Sequence, residues 1–459
     1  MDARSALAAL ALTGAVPGSG GARELTFAEA SARLGSANES LLAATEAVNA
    51  RREERAATFG LHYPRLDANA RYTRMDAPLT LDLNEIRDVI LHLHPAVPPA
   101  LVPSFVGTIQ KGSFWLADVT LTWPVFTGGK IAAADRAAAA RVDDAERDRQ
   151  RTAEELTTEL ARRYFGLRLA LKARDVRGQV LAALDTHAAQ ARRLEEEGMI
   201  ARAERLHAEV ARAEADREFK RAEHQVALAR TALADTLATD DDALDPSTAV
   251  FLLRTVEPLQ EFRARAAAGS PLLAKVAAQQ ALAASGVAAD RADYFPDVYV
   301  FGRQELHKAD LTIFDPGWAV GAGARLTLFD GFTRTRRVAA ANDRVRQVAL
   351  VEKKAARDLD TLVEQRYREM GRAREQFDAL EAALDLAREG VRVRDLAFEE
   401  GMGTSLDIVD ARLALSKVQL ERLSAAYDFD VALAELLSAC GEGARLEEYR
   451  ARADVQVER

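Results

Sequence analysis

Three landmarks in this sequence return at one fixed spacing, and that spacing limits the fold more than any other feature. Phe126-Thr127-Gly128 reappears 203 residues on (126 to 329) as Phe329-Asp330-Gly331. At the same spacing Arg163-Tyr164 becomes Arg366-Tyr367, and Glu196-Glu197-Gly198-Met199 becomes Glu399-Glu400-Gly401-Met402. A single ungapped shift that fits three separate landmarks reads as an internal tandem duplication, and a long period of this kind decides the architecture. Tyr63-Pro64-Arg65-Leu66-Asp67 resembles Tyr294-Phe295-Pro296-Asp297 at a different spacing, because the loops between differ in length.

Each repeat opens with strand-like segments. Residues 113–126 put Trp115, Ala117, Val119, Leu121, Trp123 and Val125 on one face, and Asp118, Thr120 and Thr122 on the other. Residues 318–329 do the same, with Trp318, Val320, Ala322, Ala324, Leu326 and Leu328 opposite Arg325 and Thr327. A period of two with one apolar side is the mark of a strand. Weaker partner strands are expected over residues 65–75 and 297–306, joined through loops at 76–112 and 307–317.

The remainder of each repeat is helical. Residues 129–197 and 333–400 contain no proline and almost no glycine. At 1.5 Å per residue a helix of that length spans about 100 Å, which points to coiled coil or a tube wall. Helical patterning resumes after Gly198 to Leu237 and after Gly401 to Ala439, with the glycines at the reversals, where a positive φ is easily reached. In the last helix Leu413, Leu420, Tyr427 and Ala434 recur every seven residues. Val409, Ser416, Leu423 and Leu437 fill the companion positions, with Asp430 the exception, and this makes a seam for a neighbouring helix. Residues 27–59 and 259–289 read as corresponding helical segments, and the tail after Gly441 as short and polar.

Composition narrows the function. With 62 basic and 71 acidic residues the 459-residue chain carries a net charge of −9, which argues against nucleic acid as the partner. One cysteine, Cys440, excludes an internal disulfide and a thiol zinc site. No run of eighteen apolar residues occurs, so no transmembrane helix is expected. Residues 6–16 (ALAALALTGAV), followed by small residues at 17–22, fit a secretory signal. The expected organisation is a signal peptide at 1–23, a first repeat at 24–238, a second at 239–441 and a polar tail at 442–459.

A doubled hairpin-plus-long-helix layout behind an export signal resembles the TolC family of outer membrane efflux proteins, over about residues 25–441. The motifs that carry the likeness are Leu121-Thr122-Trp123-Pro124-Val125-Phe126-Thr127-Gly128-Gly129, Leu326-Thr327-Leu328-Phe329-Asp330-Gly331-Phe332, and the tip sequence from Glu400-Gly401-Met402-Gly403-Thr404-Ser405 to Asp410. The resemblance implies a mixed α and β membrane protein. Three chains would each give four strands to a shared twelve-stranded outer-membrane β-barrel, continued by a long α-helical barrel across the periplasm. It implies a passive exit duct that works with a periplasmic adaptor protein and an inner-membrane pump. Four strands from each of three chains close a sheet without edges, and Trp115, Trp123 and Trp318 suit a membrane-interface belt against outer-membrane lipid.

In that family carboxylates on the second helical hairpin narrow the inner end of the tunnel, and Asp407 and Asp410 match the paired gate aspartates. Threefold symmetry would make each a ring of three carboxylates, attracting cations and repelling anions. Gly403 stands where some relatives carry an arginine that ties the closed hairpin, so any latch here must use other residues. The hairpin tips, with Gly198, Met199, Gly401 and Met402, would meet the adaptor. The aligned positions of the first repeat hold Glu204 and His207, read as surface residues. Two rival readings remain open from the residues themselves: a periplasmic coiled-coil scaffold or adaptor without a barrel, and a helical-bundle enzyme built on Glu204 and His207. No phosphate loop or nucleophile motif is present, His92 and His94 lack a carboxylate cluster, and neither a cofactor nor a metal nor catalysis is expected.

Overall fold

The computed structural model describes residues 23–241, 243–312 and 314–457. Apart from Arg23, the expected signal peptide lies outside the described residues. In chain order the elements are β1 (Arg23–Leu25), α1 (Phe27–Ala37), α2 (Glu39–Phe59), β2 (Arg65–Arg74), β3 (Leu79–Asp82), α3 (Asn84–Leu93), β4 (Val106–Gln110) and β5 (Ser113–Thr127). Next come α4 (Lys130–Glu196), α5 (Arg202–Thr236), β6 (Leu244–Pro246), β7 (Val250–Leu252), α6 (Leu259–Gly269), α7 (Pro271–Ala292), β8 (Asp297–Glu305) and β9 (Trp318–Arg325). The chain continues through α8 (Thr333–Glu399), α9 (Ser405–Ala439), α10 (Leu446–Ala451) and β10 (Val455–Val457). The two long helices have 67 residues each and the two that return from them have 35 each. The described residues form two compact units, residues 23–43, 150–270 and 358–457 in the first, and residues 44–149 and 271–357 in the second.

The second unit holds a four-stranded antiparallel sheet in the order β2-β5-β8-β9. Its register sorts the side chains by face. Leu66 pairs with Leu121, Ala68 with Val119, Ala70 with Ala117 and Tyr72 with Trp115. The apolar face continues as Trp123 beside Val300, Val300 beside Ala322, and Gly302 beside Val320. The opposite face carries Asp67, Asn69, Asp118, Thr120, Arg303 and Glu305. Here Asn69 donates to Asp118 at 3.2 Å, and Arg303 is ion-paired with the buried Glu305. Gly321 and Gly323 sit under the rings of Phe301 and Tyr299. A Cβ at either glycine would come within 2.8 or 2.6 Å of a ring carbon, so the aromatics cover the bare backbone.

Strand β9 ends at Arg325, four residues short of the expected strand to 329, because the chain turns toward α8 there. The junctions into the long helices use paired left-handed residues, Gly128 (φ 61°) with Gly129 (φ 93°), and Gly331 (φ 65°) with Phe332 (φ 66°). Lys130 at the start of α4 bridges Asp293 and Asp297 at 3.1 and 3.0 Å, and Arg334 at the start of α8 bridges Asp330 at 3.0 Å. The stretch 76–112 is more than a loop. It contains the β3–β4 pair and amphipathic α3, held by Arg87 donating to the carbonyls of Val102 and Pro99 at 3.0 and 3.1 Å.

Most of the buried apolar side chains lie in the first unit. Tyr164 and Phe165 on α4 pack with Phe27, Phe165 meets Phe251, and Phe251 in turn meets Phe429, at centroid separations from 5.3 to 6.5 Å. The buried Tyr164 hydroxyl donates to the Leu25 carbonyl at 2.5 Å and accepts from the Thr248 N–H at 2.9 Å. It thereby fixes the parallel β1–β6 pair. The tail is not loose: β10 pairs antiparallel with β7, and Leu446, Tyr449 and Val457 are buried. Cys440 is buried too, its thiol pushed up to about 12 by desolvation.

The expected single helix at 27–59 breaks at Asn38, whose amide donates to the Thr236 carbonyl at 3.1 Å and whose side-chain oxygen accepts from Ser40 N–H at 3.0 Å. The segment at 259–292 breaks at Ser270, with Pro271 opening α7, where its missing N–H does no harm. By length and composition Leu259–Ala292 is apolar enough to cross a membrane, although it contains no unbroken run of eighteen apolar residues. Ion pairs along it, Arg263 with Glu364 and Lys275 with Asp148 at 2.8 and 2.6 Å, instead tie it to the flanking long helices within each unit.

Candidate functional site

Both helical hairpins turn by the same device. At the first tip Gly198 N–H donates to the Glu195 carbonyl and Met199 N–H to that of Leu194, at 2.9 and 2.8 Å. At the second tip Gly401 N–H donates to Phe398 and Met402 N–H to Ala397, at 3.0 and 2.8 Å. These are Schellman closures, and each needs a left-handed residue, supplied by Gly198 and Gly401 at φ 72°. The methionines that follow are exposed, Met199 by 68% and Met402 by 80%. Beyond the turns the hairpins differ: α5 starts without a side-chain cap, whereas Thr404 and Asp407 form a capping box on α9.

That box occupies one of the two expected gate aspartates. Asp407 Oδ2 accepts from the backbone N–H and hydroxyl of Thr404 at 3.0 and 2.7 Å, and Oδ1 accepts from Arg394 on α8 at 3.1 Å. The Thr404 hydrogen bonds, with Arg394 behind them, hold the Asp407 carboxyl below its ordinary range. Asp410 is exposed, and no ion pair engages it among the described residues. One turn further on, Arg412 of α9 forks onto Asp395 of α8 at 2.9 and 3.0 Å. Arg394–Asp407, Arg412–Asp395 and Arg422–Glu381 thus lace the second hairpin. Arg205–Glu195, Arg192–Glu209 and Arg212–Asp185 lace the first. The pairs exposed on both sides, Arg394–Asp407 and Arg212–Asp185, are worth about 0–1 kcal/mol each.

Gly403 has a packing reason of its own. A Cβ there would lie 3.1 Å from Phe398 N and 3.3 Å from the Ala397 carbonyl carbon. Glu204 is not a free surface residue: its carboxylate accepts from the Ser405 N–H at 2.9 Å and so joins the two hairpins. His207 is exposed on the rim of a groove of about 470 Å³ between α4, α5 and α9, whose floor includes Val180, Ala211, Ala215 and Val409. Sequence reading did not single out Arg394, Asp395, Arg412, His187 or Ser405.

The three tryptophans all belong to the sheet and are exposed, Trp115 by 53%, Trp123 by 47% and Trp318 by 68%. Trp115 packs on Tyr72 with centroids 5.2 Å apart, and the Trp123 indole donates to the His62 carbonyl at 2.9 Å. His92 and His94 are exposed in and just after α3. Among the described residues no group of three or more His, Cys, Asp or Glu side chains is gathered as a metal ion would need.

Comparison with known proteins then gives these features a context. A family model described as outer membrane efflux protein matches residues 31–239 and 263–442. A search of curated protein sequences gave no match. Among solved structures, a membrane protein from Pseudomonas aeruginosa superposes with TM-score 0.75 at 19% identity, covering 91% of this chain and 90% of that one. The CmeC outer membrane channel of Campylobacter jejuni gives 0.74 at 14%, covering 94% and 90%. The open state of the MtrE outer membrane channel of Neisseria gonorrhoeae gives 0.71 at 18%, covering 91% and 89%. At these identities the likeness establishes the fold.

Proposed function

Since the chain belongs to the outer membrane efflux protein family, we propose that three copies of it close one twelve-stranded barrel and form an exit duct gated at the second hairpin. The chain is an outer membrane protein of an efflux system, in a family of channels rather than enzymes. One observation carries the barrel reading: the sheet β2-β5-β8-β9 has two edge strands, β2 and β9, without a further partner among the described residues, and one face that is apolar across all four strands apart from Gln304. In lipid an unpaired strand edge is not tolerated, and joining β9 of one copy to β2 of the next removes every edge. Strands β2, β5 and β8, of 10, 15 and 9 residues, are long enough to cross the hydrocarbon layer at a barrel tilt, and β9, of 8, is about one residue short.

The tandem repeat read from the sequence fits the same design. Phe27 packs on Tyr164 as Phe262 packs on Tyr367, with centroids 5.4 and 5.9 Å apart, one contact from each proposed repeat. With repeats at 24–238 and 239–441, each half would supply two strands of the four-stranded sheet and one helical hairpin. At the second tip, rings of Asp410 and Asp407 would favour cations. Asp407 is already shared with Arg394, so Asp410 dominates the field. The exposed Met199 and Met402 and the groove beside α9 offer soft apolar contact to the helical tips of a periplasmic adaptor, which would in turn link the duct to an inner-membrane pump. Trp115, Trp123 and Trp318 would sit at the membrane interface.

Fractionating cells that express the full chain, then sizing the detergent-extracted protein, tests the assembly. A species in the outer membrane near three times the 50.0 kDa chain mass is expected. A detergent-independent monomer or dimer would overturn the shared barrel.

A further inference from the structure

The N-terminus of α9, which carries both candidate gate aspartates, is anchored by contacts that the gating reading does not use. Ser405, the first residue of α9, is fully buried, and the first hairpin takes both of its polar groups. Its N–H donates to Glu204 on α5 at 2.9 Å, and its hydroxyl lies 3.1 Å from His187 Nε2 on α4. The imidazole is itself buried, 3% exposed, and meets the Phe398 ring of α8 edge to face, with centroids 4.9 Å apart. Four helices therefore converge on one histidine–serine pair.

We propose that His187 is a positioning residue and an acid-released latch: neutral, it holds the N-terminus of α9, with Asp407 and Asp410, against the first hairpin, and protonated, it frees that end. The latch deepens the gating reading and rests on it for any effect on conduction. The groups that face the ring decide the outcome. Arg412 of α9 brings a like charge, and the positive end of the α9 dipole starts at Ser405. Asp395 of α8 and Glu204 of α5 oppose them, but Asp395 is forked by Arg412 and Glu204 already accepts from Ser405. On α4 itself Asp185 is paired with Arg212 and Arg192 with Glu209.

Burial first, and Arg412 second, hold the imidazole below its ordinary value of 6.5. A released His187, in water, returns to that ordinary value and takes up protons first. The held state is therefore fully favoured above about pH 6.5 and loses ground as pH falls from there through the depressed value. Within that window each pH unit shifts the held-to-released ratio up to about tenfold per chain.

The test is amide hydrogen exchange over residues 402–412 in the full-length detergent-extracted protein at pH 7.5 and 5.5, corrected for intrinsic rates, with single-channel conductance recorded in parallel. Wild type should exchange up to about tenfold faster in the acid sample. His187→Gln, which keeps an amide for Ser405 but cannot titrate, should exchange slowly at both pH values. Ser405→Ala should exchange fast at both. A wild-type segment indifferent to pH, a His187→Gln variant that responds like wild type, or a Ser405→Ala variant indistinguishable from wild type each overturns the latch. If exchange follows these expectations while conductance ignores pH, the latch stands and the gating reading fails.

Discussion

Asp430→Asn should stabilise the protein at neutral pH and change little in acid. Asp430 lies on α9 in the core of the first unit, fully buried. One carboxyl oxygen accepts from the Phe251 N–H at 3.2 Å, and the other has no partner. Desolvation pushes its pKa well above the ordinary 3.8. The folded protein therefore binds a proton that the unfolded chain releases. That contribution is complete below the ordinary carboxylate value and is lost as pH rises toward the raised folded value. Each pH unit of separation is worth about 1.4 kcal/mol, so at pH 7 the penalty against asparagine has a ceiling of about 4 kcal/mol.

Asparagine keeps the acceptor for Phe251 and, like the protonated acid, carries donor hydrogens into the same unpartnered position, so that part cancels. A gain of up to about 4 kcal/mol at pH 7.5 is expected, shrinking below about 1 kcal/mol at pH 4.5. Thermal melting of the detergent-extracted protein at both pH values reads it directly. Asp430→Leu, which orphans the Phe251 N–H, should lose about 1–3 kcal/mol relative to asparagine at either pH. An asparagine variant less stable than wild type at pH 7.5, or one whose gain does not depend on pH, would refute the reasoning.

Three further outcomes are expected. Tyr164→Phe removes the hydroxyl between Leu25 and Thr248 and should destabilise the first unit by about 1–3 kcal/mol, read as a lower melting temperature. Gly128→Ala forces a Cβ to 2.6 Å from the Ala292 carbonyl at a left-handed φ, so the yield of detergent-resistant oligomer in the outer membrane should fall sharply, whereas Gly198→Ala, with open space around it, should be milder. Asp410→Asn should weaken the cation preference of the open channel more than Asp407→Asn, because Arg394 and the Thr404 cap already engage Asp407; equal effects in ion-selectivity recordings would contradict this.

Local signals carried most of the helical architecture. The absence of proline between residues 129 and 197 and the glycines at 198 and 401 gave α4, α8 and both tips to within a residue or two, because backbone constraints alone set them. Alternating side chains likewise located β5 and the start of β9. The misses share a cause. The β3–α3–β4 excursion, the break at Asn38 and the β10–β7 pairing depend on partners distant in sequence, as with Asn38 and Thr236. His187 looked like one polar residue among many on a long helix, and only the fold brings Ser405, 218 positions away, within reach. Asp430 did leave a trace, as the one charged residue in the heptad seam, and it proves to be a core residue.

Single-channel recording of the purified full-length protein in planar lipid bilayers puts the exit duct to the most direct test. Stepwise, cation-preferring conductance that loses its preference in Asp410→Asn is the predicted result. Protein that remains in aqueous solution and leaves the bilayer electrically silent would contradict it.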